Sequence, residues 1–383
     1  MDFSAVSQAL EAAAHPQTDE VIEDYQYVFP GAVLLVAKRG LPVFKQAVGC
    51  RSLYPEVSPI SEETVFDVAS LTKALVTTTL VMMAVDEDLL NIDQKLLDFY
   101  PSLNSLGKER MTVRHLLTHS SGYPDIMPLF QRILEVEQGA YLGRRAASDI
   151  AYKEICESQL KHLPGRVATY SDVGFILLGG VLEAVYGEPL DVLFTKKISS
   201  ELGLDSSGFI VLEELSKRGL ETADEIIAPT VECKRRGRMI CGEVHDENAW
   251  ALGGVAGHAG LFSTANEVQK ISKELLKSFK GKSDFVSRDV IKLFWAKDAS
   301  VAKSTWALGW DTPTPGKSSS GSYFSEKSVG HLAFTGCSLW IDLEKEIEVI
   351  LLSNRIHPKV DNKLIRAFRP LIHDLVMKAV NAK

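Results

Sequence analysis

Cysteine is scarce in this chain: five in 383 residues, at positions 50, 156, 233, 241 and 337. No two form a Cys-x-x-Cys pair, so neither a zinc site nor a disulfide framework is expected, and a reduced, cytoplasmic setting is the default. Basic residues are not in excess. Forty-two lysines and arginines face 50 acidic side chains, a net charge of −8, which argues against nucleic acid or an anionic membrane as partner. The opening MDFSAVSQALEAAAHPQTDE has no basic stretch and no apolar stretch, so no export signal is expected there, although a processed exported chain stays open. The uncharged run Ala74 to Val85 is only 12 residues long, too short to span a bilayer and suited to a buried helix. There is no Gly-x-Ser-x-Gly, which excludes the α/β-hydrolase nucleophile elbow. His-Glu-x-x-His is missing too, and the Gly-rich 253–260 segment is no Gly-x-Gly-x-x-Gly. No low-complexity tract or long block of one charge suggests disorder.

What is present is an ordinary globular composition, 45% hydrophobic and 24% charged, ample for a sizeable core. The length allows two to three domains at roughly 150 residues each, or one or two large ones. Residues 3–14 have the spacing of an amphipathic helix, with Phe3, Val6 and Leu10 on one face. The Val-rich segment 32–49 predicts two strands around a turn at Arg39-Gly40. A second pair is expected near the other end, 338–343 and 346–354 around Glu344-Lys345, followed by a helix within 359–382. Residues 70–200 are mostly helical patterns broken by turn clusters at 120–125 and 162–166. The simplest assembly is an α+β fold. One antiparallel sheet lobe, flanked by helices, is drawn from 1–69 and 265–383; 70–264 form a mainly helical lobe, with the active site between the two.

The sharpest feature is VFDVASLTKALVTTTLVM, 65–82. Ser70 and Lys73 are three apart at the entrance of an apolar helix, so they share a face, and the lysine can reach the serine hydroxyl. The helix N-terminus adds free N–H groups and a positive field. This combination can activate a serine without a histidine. The motif alone is weak, because chance gives about one Ser-x-x-Lys in a chain this long. Two others occur, Ser158–Lys161 and Ser300–Lys303, but both lie in polar stretches. Two more segments single out Ser70: Tyr170-Ser171-Asp172 in ATYSDVGFILLGG (168–180), and GHLAFTGCSLWID (330–342), which opens the last strand pair.

In these three segments, in this order, the chain resembles the penicillin-recognising serine hydrolases: class C β-lactamases, low-molecular-weight penicillin-binding proteins and the esterases built like them. Their pattern is Ser-x-x-Lys, Tyr-x-Asn, then Lys-Thr-Gly or His-x-Gly. TVRHLLTHSSGYPD (112–125) and GGVAGHAGLFST (253–264) also look like that superfamily, so the likeness runs from about residue 30 to 355. The resemblance implies the β-lactamase/penicillin-binding-protein fold and an acyl-enzyme mechanism without cofactor or metal. Ser70 would attack a small-molecule ester or amide, while Lys73 and Tyr170 share the acid–base work. The oxyanion would be held by the Ser70 N–H and a second N–H from the final strand. That donor is Phe334 if His331-Leu332-Ala333 aligns with Lys-Thr-Gly, and Cys337 if Phe334-Thr335-Gly336 does. The first is preferred because the family often has a second x-Thr-Gly directly after the motif. Such donors are worth about 3–4 kcal/mol each.

The departures from the pattern bear on the substrate. Asp172 replaces the family's Asn, so it accepts hydrogen bonds and donates none when ionised. It would hold Lys73 protonated, and Lys73 would in turn lower the Tyr170 pKa, making Tyr170 the proton acceptor. His331 replaces a lysine that helps bind the substrate carboxylate, Leu332 lacks the threonine hydroxyl, and Ala333 adds a Cβ. These changes favour an esterase- or amidase-like hydrolase of less charged substrates. The alternatives are a class C-like β-lactamase or D-Ala-D-Ala carboxypeptidase, and a non-catalytic binding scaffold. Asp172 and His331 can equally be structural. His115 and His119, four apart in an expected helix, read as structural rather than as metal ligands. His258 reads as a backbone-bonded loop histidine, and the tryptophans at 250, 306, 310 and 340 are open between core and cleft.

Overall fold

A computed structural model describes residues 1–16, 27–104, 107–218 and 226–381. Its largest sheet has six antiparallel strands drawn from both ends of the chain. They are β1 (Gly31–Lys38), β2 (Leu41–Ser52), β3 (Ser58–Pro59), β4 (Ser328–Leu332), β5 (Ser338–Asp342) and β6 (Ile347–Ser353), in the order β3-β2-β1-β6-β5-β4. The expected hairpins at Arg39-Gly40 and Glu344-Lys345 are both present. β1 and β6 join the two ends at the sheet centre, with Ala32 opposite Ser353 and Lys38 opposite Ile347.

β1, GAVLLVAK, is buried on both faces, and its alternation divides the core in two. Leu34 and Val36 meet α1 (Ser4–Ala13) and the C-terminal helix through Val6, Leu10, Phe368, Ile372 and Val376. Phe3 stacks on Phe44 at 4.7 Å, as the expected amphipathic face requires. Val33 and Leu35 face the other way. From there one apolar cluster runs unbroken through the helices of residues 73–295, among them Leu80, Leu178 and Ile271.

Three elements frame the cleft. The strand Phe66–Asp67 pairs antiparallel with Leu261–Ser263 and then turns into a helix whose first turns are wide, Lys73–Thr78, and which continues as α2 (Thr79–Asp86). Lys73 to Ala84 are all buried, which is why this run is apolar all round rather than amphipathic. The second is α3 (Asp172–Tyr186), whose first residue is Asp172. The third is β4, the edge strand of the large sheet, which ends at Leu332. Among the described residues no single helix is long and apolar enough to cross a membrane.

Candidate active site

Ser70 sits where a strand becomes a helix, and the turn that delivers it is strained. Ala69 has φ +45°, a left-handed conformation costly for a residue with a Cβ. Two contacts hold it there. The Asp67 carboxylate accepts the Ala69 N–H at 2.8 Å, and the Ala69 carbonyl accepts the Thr72 hydroxyl at 2.6 Å and the Thr72 N–H at 3.0 Å. Asp67 is fully enclosed and its other oxygen takes the His245 N–H at 2.8 Å. Burial outweighs these donors and raises its pKa to about 6.

One helical turn on, the buried Lys73 ammonium gives all three of its hydrogens: to Ser70 Oγ at 3.1 Å, to Asp172 Oδ1 at 2.6 Å and to the His258 carbonyl at 3.1 Å. Burial alone would lower the Lys73 pKa, but the charges of Asp172 and Tyr170 outweigh it and leave it raised. The last acceptor depends on Gly257. A Cβ there would come within 2.1 Å of the Phe175 carbonyl, so only glycine lets the 253–260 loop lie against α3.

The Tyr170 hydroxyl lies within hydrogen-bonding reach of both Ser70 and Lys73. The Lys73 charge lowers its pKa as expected, but the net shift is upward. Burial pushes the phenol up, and the Lys73 ammonium recovers only part of that rise. His119 places Tyr170: its Nδ1 accepts the Ser171 N–H at 3.1 Å, its carbonyl accepts the Thr169 N–H at 2.8 Å, and its ring packs 4.7 Å from the Tyr170 ring. Trp306 closes the stack at 4.3 Å from His119.

On the opposite wall, β4 brings His331, Leu332, Ala333 and Phe334 to the cleft. Burial, helped by the nearby Lys73 charge, lowers the His331 pKa to about 3, so the ring is neutral at physiological pH. Its Nδ1 donates to the Leu332 carbonyl at 2.8 Å. The N–H groups of Ser70 and Phe334 have no protein acceptor among the described residues. Cys337 is fully buried and does not line the cleft, so of the two alignments only the one ending at Phe334 puts its donor at the opening.

Between the walls lies a cleft of about 730 Å³ whose apolar sides include Ile126, Pro128, Phe130, Val231 and Trp306. No lysine or arginine is among its described lining residues. The other Ser-x-x-Lys matches lie elsewhere. Ser158 bonds the Ile155 carbonyl at the end of a helix, and Ser300 bonds Asp298 on the surface.

Three expectations need correcting, and the open placement of the tryptophans is resolved in part. His115 and His119 do not share a helix, because Val113–Leu117 ends before His119, which has φ +54°. His115 instead accepts the Thr112 N–H at the helix start. His258 is not backbone-bonded through its ring: its Nε2 meets Asp246 Oδ1 at 2.8 Å, while its carbonyl serves Lys73. Of the tryptophans, Trp310 and Trp340 are core and Trp306 lines the cleft. The Tyr170 shift has the sign given above. His119, Asp67 and His245 were missed as supports of the site, and the one available signal for His119 was its place in the 112–125 segment.

The beta-lactamase family model matches residues 6–372. An N-acetylmuramyl-L-alanine amidase of Bacillus subtilis (strain 168) is 30% identical over 372 residues, covering 90% of this chain and 81% of that protein. A protein of Escherichia coli (strain K12), named provisionally as a D-alanyl-D-alanine carboxypeptidase, is 28% identical over 357 residues, covering 87% and 80%. Among solved structures, simvastatin synthase from Aspergillus terreus superposes with a TM-score of 0.72 at 16% identity, covering 99% of this chain and 98% of that one. At that identity the likeness concerns the fold.

Proposed function

The chain belongs to the beta-lactamase family of serine hydrolases, and from that premise we propose that Ser70 is the nucleophile of an esterase- or amidase-like hydrolase acting on small, weakly charged substrates. The observation that carries this is the hydrogen bond from the buried Lys73 ammonium to Ser70 Oγ at the cleft floor, with Tyr170 in reach of both.

In this reading Ser70 Oγ adds to the substrate carbonyl carbon, and the carbonyl oxygen becomes an oxyanion between the free Ser70 and Phe334 N–H groups. The leaving group departs with a proton, and water then cleaves the acyl-enzyme, freeing the acid and Ser70. Lys73 already donates to Ser70 Oγ, so the serine's own hydrogen is free for Tyr170. A fully donating ammonium has no lone pair and cannot itself take that proton. Tyr170 is therefore the acceptor, in its ionised form, and Lys73 with Asp172 supplies a fixed positive charge beside it. Because burial raises the Tyr170 pKa, the active fraction grows as pH rises.

The names of the relatives favour a second reading, a peptidase of carboxylate-terminated amides. A neutral His331 and a lining without lysine or arginine weigh against it. The test is hydrolysis of a short p-nitrophenyl ester by wild type and by Ser70→Ala. Activity that vanishes in the variant supports the reading. Equal rates would move the non-catalytic scaffold ahead.

A further inference from the structure

The Phe334 N–H is presented by a turn with little regular structure of its own, and what fixes that turn lies behind it. A trans peptide unit is planar, so a residue's carbonyl and the following N–H point in opposite directions. The Ala333 carbonyl, the far end of the Phe334 amide, accepts Arg369 Nη2 at 2.8 Å as well as the Gly336 N–H at 3.2 Å. The same Nη2 reaches the Cys337 carbonyl at 2.7 Å. Arg355 takes two more carbonyls of the turn, Phe334 through Nε at 2.9 Å and Thr335 through its backbone N–H at 3.1 Å. Thus four carbonyls of residues 333–337 are turned toward two arginines, and the Phe334 amide is left facing the opening.

Both arginines are buried, and neither has a carboxylate within 4 Å among the described residues. A buried cation without a counter-charge is costly. Burial lowers the Arg369 pKa to about 10, which still leaves it charged at neutral pH. Arg369 comes from the C-terminal helix, α4 (Ile365–Asn381), which otherwise packs an apolar face on the sheet. The second N–H is set by the same device: the Ala69 carbonyl, the far end of the Ser70 amide, is clamped by Thr72.

We propose that Arg369 is a positioning residue for the oxyanion site: by clamping the Ala333 and Cys337 carbonyls from behind, it aims the Phe334 N–H at the developing charge. The proposal rests on Phe334 being an oxyanion donor, as argued above, and the experiment separates the two. Turnover of p-nitrophenyl acetate is measured per active site, with sites counted by the end-point of fluorophosphonate labelling, for Arg369→Met, Arg369→Lys, Phe334→Pro and the double variant Phe334→Pro/Arg369→Met. Proline removes the N–H itself. The expected result is a fall of about 10²-fold in kcat for Arg369→Met and for Phe334→Pro, with KM little changed. Arg369→Lys, which can reach one carbonyl but not hold two, falls by about tenfold. The double variant is no slower than Phe334→Pro, because the arginine then has no donor to aim. If Arg369→Met yields no countable sites, Arg369→Lys is read against the same criterion. An impaired Phe334→Pro beside an arginine variant within about twofold of wild type overturns the role of Arg369. So do losses that add in the double variant. An unimpaired Phe334→Pro overturns the oxyanion assignment beneath it.

Discussion

The two walls of the cleft are built on different principles. On the helical side, Ser70, Lys73, Asp172 and Tyr170 form a dense polar cluster in which every hydrogen of Lys73 is used and the charges compensate one another. On the sheet side, His331, Leu332, Ala333 and Phe334 present an uncharged surface, and the positive groups Arg355 and Arg369 stand behind it. On the proposed reading the first wall moves a proton, and the second stabilises charge and chooses a substrate. Changes to the helical side chains should therefore abolish turnover, whereas changes to the side chains of His331, Leu332 and Ala333, which leave the Phe334 N–H and its arginine support in place, should redirect it.

The largest expected effect is on the helical wall. Ser70→Ala should reduce kcat for a p-nitrophenyl ester by about 10³-fold or more, since a nucleophile has no substitute. Tyr170→Phe should cost about 10²-fold and remove the rise of kcat/KM with pH, as measured by a pH–rate profile between neutral and alkaline buffers. A profile that keeps its rise in Tyr170→Phe assigns the proton to another group.

Asp172→Asn, which restores the family's usual residue, should cost about tenfold. Its main effect is on pH dependence. Asp172 is the strongest influence raising the Lys73 pKa, and without it only Tyr170 opposes the lowering by burial. The ammonium is then lost at lower pH, so the alkaline limit of activity moves down. If neutral Lys73 were the base, the same variant would instead be faster at neutral pH. The smallest change in the basic reaction is expected from side-chain exchange in the His331–Ala333 segment of the sheet wall. His331→Lys/Leu332→Thr/Ala333→Gly should alter turnover of a neutral ester by about threefold at most, yet improve kcat/KM for a carboxylate-bearing amide by about tenfold, because a cation now meets the substrate anion. Loss of neutral-ester turnover there as large as on the helical wall would dissolve the contrast between the two.

Much of this is legible in the sequence. The Ser70–Lys73 pair follows from helical spacing, and both hairpins follow from Val-rich runs meeting at short turns. What escaped depends on depth or distance. The Tyr170 shift was misjudged because a neighbouring charge is visible in a motif, whereas full enclosure is not. His119 and Arg369 act on residues 52 and 36 positions away through one or two hydrogen bonds, and no periodicity marks such contacts. His258 was described by its glycine-rich context, but its ring answers to Asp246, 12 residues earlier.

The pairing of β1 with β6 has a consequence for how activity arises. Ala32 must find Ser353 before the hairpins that carry Phe334 join the rest of the sheet, while Ser70 and Lys73 are only three residues apart in the chain. Closing so large a loop is slow relative to forming local helices. During synthesis and refolding the Ser70–Lys73 pair thus forms early and the wall that carries Phe334 docks late. On the proposed reading, a chain stopped short of residue 334 would carry the serine without its second oxyanion donor.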